Sequence, residues 1–438
     1  VASGAMLNVF AEIENSFLDN KFLTKRFELG VQALKMWKNH HSNLEKQSKE
    51  KIEIKWGTYV INSSRGTKYE DRLFEYLQKV LKKKEFSKFK QDLVNPDKIT
   101  GLSAQAPHRP IRSIKVEDGI VNSIQLLNSI DKIINNTKNI HLLDGVAKKI
   151  NRLKSGIEIE TNNEKIKASK IVLANGAYAQ VLVDQIKELK NNTPRLFFGA
   201  GSAVILDYNK TRNSFIKTQS KENLPQLAIR TMDRGHACGL HLLPFKSHMY
   251  LGASSAIFTK PEKNPRVNSM AFMLNDGMNQ IGPCIGRSSV KSHTYGFRPV
   301  SEDIFPMIGK SNIEDIWYLN GTKRDGLTIS PYICSELAKE MLLGKSNLPK
   351  EFYPSRNLIS YFNKDIAIQK SAIAQYNKEN THNMMLPDSN NFDEYFNRIK
   401  SNINIVYKKY KIKNFGIHPE LLGNYRLGII NKRLLKEK

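Results

Sequence analysis

The run Lys170–Ala174 (KIVLA) constrains this chain more than any other stretch. Four apolar residues in succession, in a segment too short for a helix, mark a strand buried on both faces. Such a strand needs layers above and below it, and the sequence offers the helices. Residues 21–48 carry Leu29, Leu34 and Trp37 among scattered charges, a helical pattern. Glu70–Lys90 reads as a basic helix with a solvated charged face, and Ser123–Ile133 (SIQLLNSIDKI) sets apolar residues at helical spacing. Strand-like runs fall between them. Lys55–Ile61 (KWGTYVI) is closed by a Ser-Ser-Arg-Gly turn, Asn139–Leu143 (NIHLL) begins another strand, and Gly156–Glu160 (GIEIE) alternates as a hairpin strand does. The middle, residues 195–295, is strand-rich, with Ser202–Leu206, Leu240–Leu243 and His248–Gly252 as candidates. From 312 onward strand and helix alternate: Ile316–Asn320 (IWYLN), a Gly-containing turn, then Ile329–Leu343. The expected class is α/β with an α+β middle portion, followed by a basic helical extension over 346–438.

At 438 residues, 40% hydrophobic and 25% charged, the chain has room for two or three domains and a real core, which excludes wholesale disorder. The 68 Lys/Arg against 42 Asp/Glu give a net charge of +26, which would attract polyanions such as nucleic acid. The excess is spread along a chain rich in Lys, Asn and Ile, so compositional drift is favoured over a nucleic-acid partner. Over 400–438 there are ten Lys/Arg against two Glu; a surface-wrapping helical extension is favoured there over a nucleic-acid arm. Cys238, Cys284 and Cys334 are odd in number and form no CxxC, which argues against a disulfide framework or a Cys-based zinc site and fits a reducing, cytoplasmic compartment. No run of 18 apolar residues is present, so no transmembrane segment is expected. The opening Val1-Ala2-Ser3-Gly4 is no signal peptide and lacks an initiator Met, so a natural start further upstream is expected.

Four stretches carry the chemistry. They are Ala2-Ser3-Gly4-Ala5-Met6-Leu7 with Ala11-Glu12; Ile171 to Tyr178 (IVLANGAY); Leu242-Leu243-Pro244 with Met249 to Ser254 (MYLGAS); and Gly296-Phe297-Arg298-Pro299, Pro306 to Gly309 (PMIG) and Gly321 to Thr328 (GTKRDGLT). In this order and spacing they resemble the FAD-dependent D-amino acid oxidase family, in particular its glycine oxidase and sarcosine oxidase branch, from residue 2 to about residue 344. The last stretch is the most specific, since few folds place GxRP about 25 residues before a G-x-x-R-x-G-L turn. The resemblance implies a Rossmann-like FAD-binding domain from 1–50, 116–190 and 296–345, interleaved with a mixed-sheet substrate domain from 51–115 and 191–295. It implies FAD as cofactor and a small amino acid or amine as substrate.

By this resemblance Arg298 holds the substrate's carboxylate, its planar fork matching the two oxygens. Arg324 matches a second Arg of the flavin loop, with a salt bridge to Asp325 or Asp303 as the alternative. His241 stands where related oxidases often place a Tyr. It would donate a hydrogen bond or titrate near neutrality, or else sit as a satisfied strand histidine. Tyr250 and Tyr295 are further pocket hydroxyls. Ser3, Gly4 and Met6 match the loop that passes the pyrophosphate and flavin, Val146 a position whose backbone meets the adenine, and Asn175, Gly176 and Ala177 residues that pack under the cofactor. Gly326, Leu327 and Thr328 would line the flavin at a helix N-terminus, where free N–H groups and the helix dipole favour negative charge. No metal site is expected.

The sequence departs from the family pattern in one respect: no GxGxxG precedes Val1. That βαβ unit is expected either upstream in the natural chain, this sequence then being a fragment, or from a separate chain, and weak FAD binding is expected without it. The implied reaction is oxidation of a C–N bond to an imine by hydride transfer, with no side-chain general base. Two other readings stand beside it: a same-fold oxidoreductase acting on a tRNA wobble uridine, to which the positive charge points, and a non-catalytic relative. A homo-oligomer is compatible with each.

Overall fold

The computed structural model describes residues 4–64, 68–86, 88–89, 91–207, 224–233, 239–246, 248–381 and 391–435. Ser3 and Cys238 lie outside these residues. The fold is a mixed α/β architecture. Among the described residues its largest sheet has ten strands. In spatial order it runs Met6–Leu7, Pro110–Val121, Ile54–Ser63, Ala228–Thr231, His241–Pro244, Met249–Gly252, Leu196–Asp207 and Ala256–Phe258, with Asp92–Leu93 on the second strand and Ser289–Ser301 on the seventh. Residues 110–121 and 289–301 are each one continuous strand, so the segments expected in the two domains share them.

Register places the polar groups. Arg230 pairs with His241, His241 with Gly252, and Gly252 with Ala203. Directly opposed residues project to the same face of a sheet, so these four form one row. On the neighbouring strand Gly199, Gly201 and Ala203 share a face at period two, and Arg298 is registered opposite Gly199. An arginine side chain can lie over such a floor only because nothing larger rises from it.

A second sheet joins Met307–Lys310, Ile316–Asn320 and Ile171–Leu173, the last two parallel. The KIVLA strand sits at the edge of this sheet, and Leu173 is buried while Ile171 and Val172 are only half-buried, less than the burial on both faces that the sequence predicts. Asn139–Leu143 forms no strand. Ile140, Leu142 and Leu143 stay exposed because no neighbouring strand among the described residues offers them a ladder. The third sheet is a meander of Ala147–Arg152, Ile157–Thr161 and Lys165–Ala168.

The helix predicted over 21–48 is Lys21–Ser48, with Asn20 as N-cap accepting from the N–H groups of Phe22 and Leu23. It packs on the helix Gly326–Leu343, and Trp37 Nε1 donates to the Thr328 carbonyl at 2.7 Å. The helix predicted over 70–90 is shorter, Lys68–Leu81, because its apolar face ends at Leu81. Ser123–Asn136 is helical as expected.

The extension is part of the core. Helices Lys364–Thr381 and Phe392–Tyr410 bury Ala367, Ile368, Ile399, Ile403 and Tyr407 in the same cluster as Phe305, Ile308, Leu337 and Phe352. Arg356 secures the junction. Its guanidinium donates to both oxygens of Asp303, at 2.9 and 3.0 Å, and to the carbonyls of Tyr353, Phe305 and Pro306. Among the described residues no helix is long and apolar enough to cross a membrane.

Candidate active site

The short strand Met6–Leu7 turns into a 3₁₀ segment held from below by Asp118. This buried carboxylate accepts the N–H groups of Val9 (3.0 Å), Phe10 (3.1 Å) and Ala11 (2.7 Å). Burial still dominates and raises the Asp118 carboxyl to about 6. The turn is tied to the helix Gly326–Leu343 as well, since Thr328 Oγ1 accepts from Asn8 N–H at 3.1 Å. The result is that Glu12 projects inward rather than into solvent.

There it meets a cleft lined by Gly4, Ala5, Met6, Asn8, Glu12, Arg230, His241, Arg298, Arg324 and Leu327. Three guanidiniums face this one space, and they are not equivalent. Arg230, 1% exposed, is paired with Glu12 at 2.7 Å. Arg324 lies 3.5 Å from Glu420, 3.8 Å from Glu12 and 4.0 Å from Asp233. Arg298 has no carboxylate within ion-pair distance among the described residues; both its terminal nitrogens point to the Ser254 carbonyl at 3.4 Å. Gly201 makes room for it, since a Cβ there would lie 2.2 Å from Nη2.

Electrostatics follow from this arrangement. Burial would raise the Glu12 carboxyl, but Arg230, Arg324, Arg26 and Lys323 outweigh it and hold it at about 2. Burial lowers His241 to about 3, with Arg230 and Arg298 adding to the effect against Glu12. Burial thus favours a neutral imidazole at His241 near pH 7. Its Nε2 has no hydrogen-bond partner among the described residues, while Gly4 and Gly252 pass close by; a Cβ on them would lie 3.7 and 2.9 Å from it.

The remaining sequence-predicted residues divide. Gly4, Met6, His241, Arg298, Arg324 and Leu327 meet at the cleft. Gly326 and Thr328 flank Leu327 at the start of the helix. The neighbouring Asp325 pairs with Arg26 at 2.6 Å and Asp303 with Arg356, so neither is the partner expected for Arg324. Tyr250 is buried behind the cleft with its ring parallel to that of His241 at 5.9 Å. Asn175, Gly176 and Ala177 follow the edge strand, where Asn320 Nδ2 donates to the Gly176 carbonyl at 3.0 Å. Val146 is 66% exposed and is not brought to the cleft. Sequence reasoning missed Glu12 as a site residue, and it missed Arg230 and Glu420 altogether. The signal for Arg230 was an arginine inside the apolar run Ala228-Ile229-Arg230-Thr231.

These features fit a flavin ring. Gly4, Ala5, Met6 and Leu327 give a small-residue and apolar wall. The first intrahelical bond of the helix is Ile329 N–H to Asp325, which leaves the N–H groups of Gly326, Leu327 and Thr328 without helical acceptors. His241 Nε2, without a partner among the described residues, and the guanidinium of Arg298, held there only by the Ser254 carbonyl, face the same space.

The fold is mixed α/β, and its cleft sets three guanidiniums and Glu12 beside the N-terminus of the helix Gly326–Leu343. The family model for FAD dependent oxidoreductases, DAO, matches residues 2–340, and the chain belongs to that family. The chain is 22% identical over 203 residues to the bifunctional protein ThiO/ThiG of Trichormus variabilis, a match covering 46% of this chain and 27% of that protein. Among solved structures, glycine oxidase from Geobacillus kaustophilus superposes with a TM-score of 0.65 at 15% identity, over 82% of this chain and 88% of that one. Iminodiacetate oxidase from Chelativorans sp. BNC1 gives 0.61 at 15% identity, over 81% and 88%.

Proposed function

We propose that this oxidoreductase oxidises the C–N bond of an amino acid or secondary amine that carries one carboxylate. The carrying observation is Arg298: a guanidinium without a carboxylate partner among the described residues, facing a cleft shared with Met6 and Leu327. A substrate carboxylate would take both terminal nitrogens in parallel hydrogen bonds. The floor of Gly199, Gly201 and Ala203 keeps that fork free to align. His241 offers the amine a neutral hydrogen-bond partner and, held at about 3, is too weak a base to take its proton near neutrality. FAD, when bound, supplies the hydride acceptor. One structural relative, an oxidase of glycine, supports the single-carboxylate reading, and an oxidase of iminodiacetate, a secondary amine with two carboxylates, supports the C–N oxidation alone.

The test is kinetic. In FAD-loaded protein Arg298→Ala raises KM for the best amine substrate of a panel at least a hundredfold and leaves the flavin absorbance intact. A KM unchanged by the substitution overturns the assignment.

A further inference from the structure

The end of the helix Phe392–Tyr410, the short helix Leu422–Arg426 and the 3₁₀ turn Lys432–Leu434 meet at a corner beyond the stretch that the family model matches, and none of their residues lines the cleft. Between 408 and 433 the chain carries seven Lys/Arg, all exposed, against one acid, Glu420, which is buried and paired with Lys323 at 2.8 Å. Among the described residues none of the seven has a carboxylate within ion-pair distance. The acids of the same helix, Asp393 and Glu394, sit in its first turn, about 22 Å from Lys409 at 1.5 Å per residue. A lysine-rich composition supplies cations everywhere, but elsewhere many stand beside acids, as Arg112 does with Asp71, Lys132 with Glu50 and Lys339 with Glu336. Three cations of the corner converge. Lys409 Nζ donates to the Arg426 carbonyl at 3.4 Å, and the ammonium groups of Lys409 and Lys432 lie 5.5 and 5.6 Å from the centroid of the Tyr410 ring. The ring is fixed by its hydroxyl, which donates to the Tyr425 carbonyl at 2.7 Å. In the turn that follows Arg426 stands Leu427, 71% exposed, and Gly428 then passes the Tyr410 hydroxyl so closely that a Cβ on it would lie 3.6 Å away. A lone exposed leucine is ordinary; one set among convergent cations with no acid beside them is not.

We infer that this corner is a docking surface for an anionic membrane, on which Lys409, Arg426 and Lys432 meet lipid phosphates and Leu427 enters the boundary between headgroups and acyl chains. Charge complementarity selects a polyanion, and two details select a lipid surface over a nucleic acid. The side chain in the exposed turn is apolar and gains nothing from a hydrated phosphodiester backbone. Tyr410, whose ring would be the platform for a stacked base, is engaged by two ammonium groups instead. Each cation near an anionic surface contributes about fivefold in affinity, so three give roughly a hundredfold, a reversible attachment. The inference is independent of the reading of Arg298.

The experiment is co-sedimentation of the whole chain with sucrose-loaded vesicles, either phosphatidylcholine alone or an equal mixture with phosphatidylglycerol, at physiological ionic strength. The native chain binds the mixed vesicles at least tenfold more tightly than phosphatidylcholine, and the triple substitution Lys409→Gln, Arg426→Gln and Lys432→Gln removes that preference. Leu427→Asn, which leaves every charge in place, weakens binding to the mixed vesicles at least threefold. Because the whole chain is basic, a control removes three exposed cations from the strand Ala147–Arg152 by Lys148→Gln, Lys149→Gln and Arg152→Gln, and binding stays within threefold of native. An equal loss in that control means that net charge alone drives attachment, and the inference falls. It falls as well if the native chain shows no preference for the mixed vesicles, or if Leu427→Asn binds them as the native chain does. Tighter binding of bulk transfer RNA than of vesicles, lost in the triple variant, makes the corner a nucleic-acid surface and overturns the inference too. Circular dichroism confirms the fold of each variant, and Leu427→Asn decides the matter should the triple variant not fold.

Discussion

Gly201→Ala tests the cleft without touching a charged group. An added Cβ would lie 2.2 Å from Arg298 Nη2, 2.6 Å from Cζ and 2.8 Å from Nη1. Ordinary contacts of this kind begin near 3.4 Å, so the guanidinium must withdraw by roughly an ångström, enough to break a bidentate alignment. A hydrogen bond to a charged group is worth about 1.5–3 kcal/mol. Loss of one of the two, with the other weakened, costs about 2–3 kcal/mol, or roughly a 30- to 150-fold rise in KM or in the dissociation constant of a carboxylate ligand. The strand itself tolerates the change, because residue 201 is paired with Gly296 in regular antiparallel register. The assay is KM for Gly201→Ala, Arg298→Ala and the double variant, with circular dichroism to confirm the fold. Since both substitutions remove the same contact, the double variant should be no worse than Arg298→Ala alone. Native KM in Gly201→Ala, or additive losses in the double variant, would refute the placement of Arg298 over that floor.

Two predictions concern protons. Glu12 has a folded-state value of about 2 against an ordinary 4.5, so the stability it contributes is complete above pH 4.5 and is lost as pH falls towards 2. The difference amounts to about 3 kcal/mol; the gap in urea-unfolding free energy between the native protein and Glu12→Gln should narrow as pH falls below 4.5, and a constant gap contradicts the ion-pair account. His241, held at about 3 against an ordinary 6.5, takes up a proton near neutrality only in the unfolded chain, so its contribution to stability falls as pH drops below 6.5. The pH profile of kcat/KM should then be the same in native protein and His241→Asn between pH 5 and 7; an acid limb near 6.5 that vanishes in the variant contradicts a neutral buried imidazole.

What could be read in advance follows from how local each signal is. Arg298 was legible because its Gly-Phe-Arg-Pro context travels with it in sequence. Met6, Leu327 and His241 came with it, since each lies in a short strand or turn whose neighbours fix its direction. Arg230 was not legible, because its role depends on a register across strands: only pairing with His241 reveals that it shares a face with the cleft. Glu420 was further out of reach. Its meaning lies in a contact with Lys323 and Arg324 across nearly a hundred residues, and the tail's ten basic residues drew attention to surface charge instead. The apolar run at 139–143 was misread for the converse reason. Its composition suits a strand, but a strand exists only where another supplies the ladder, and composition does not report the partner. The same limit applies at Lys170–Ala174, whose apolarity says nothing about which side of it is paired.

The account stands most directly on the affinity of a plain monocarboxylate for the cleft. Acetate titrated into FAD-loaded protein, followed by flavin absorbance, should give a saturable change whose dissociation constant rises at least a hundredfold in Arg298→Ala. Equal affinity in the two proteins would mean that this guanidinium does not receive the acid group.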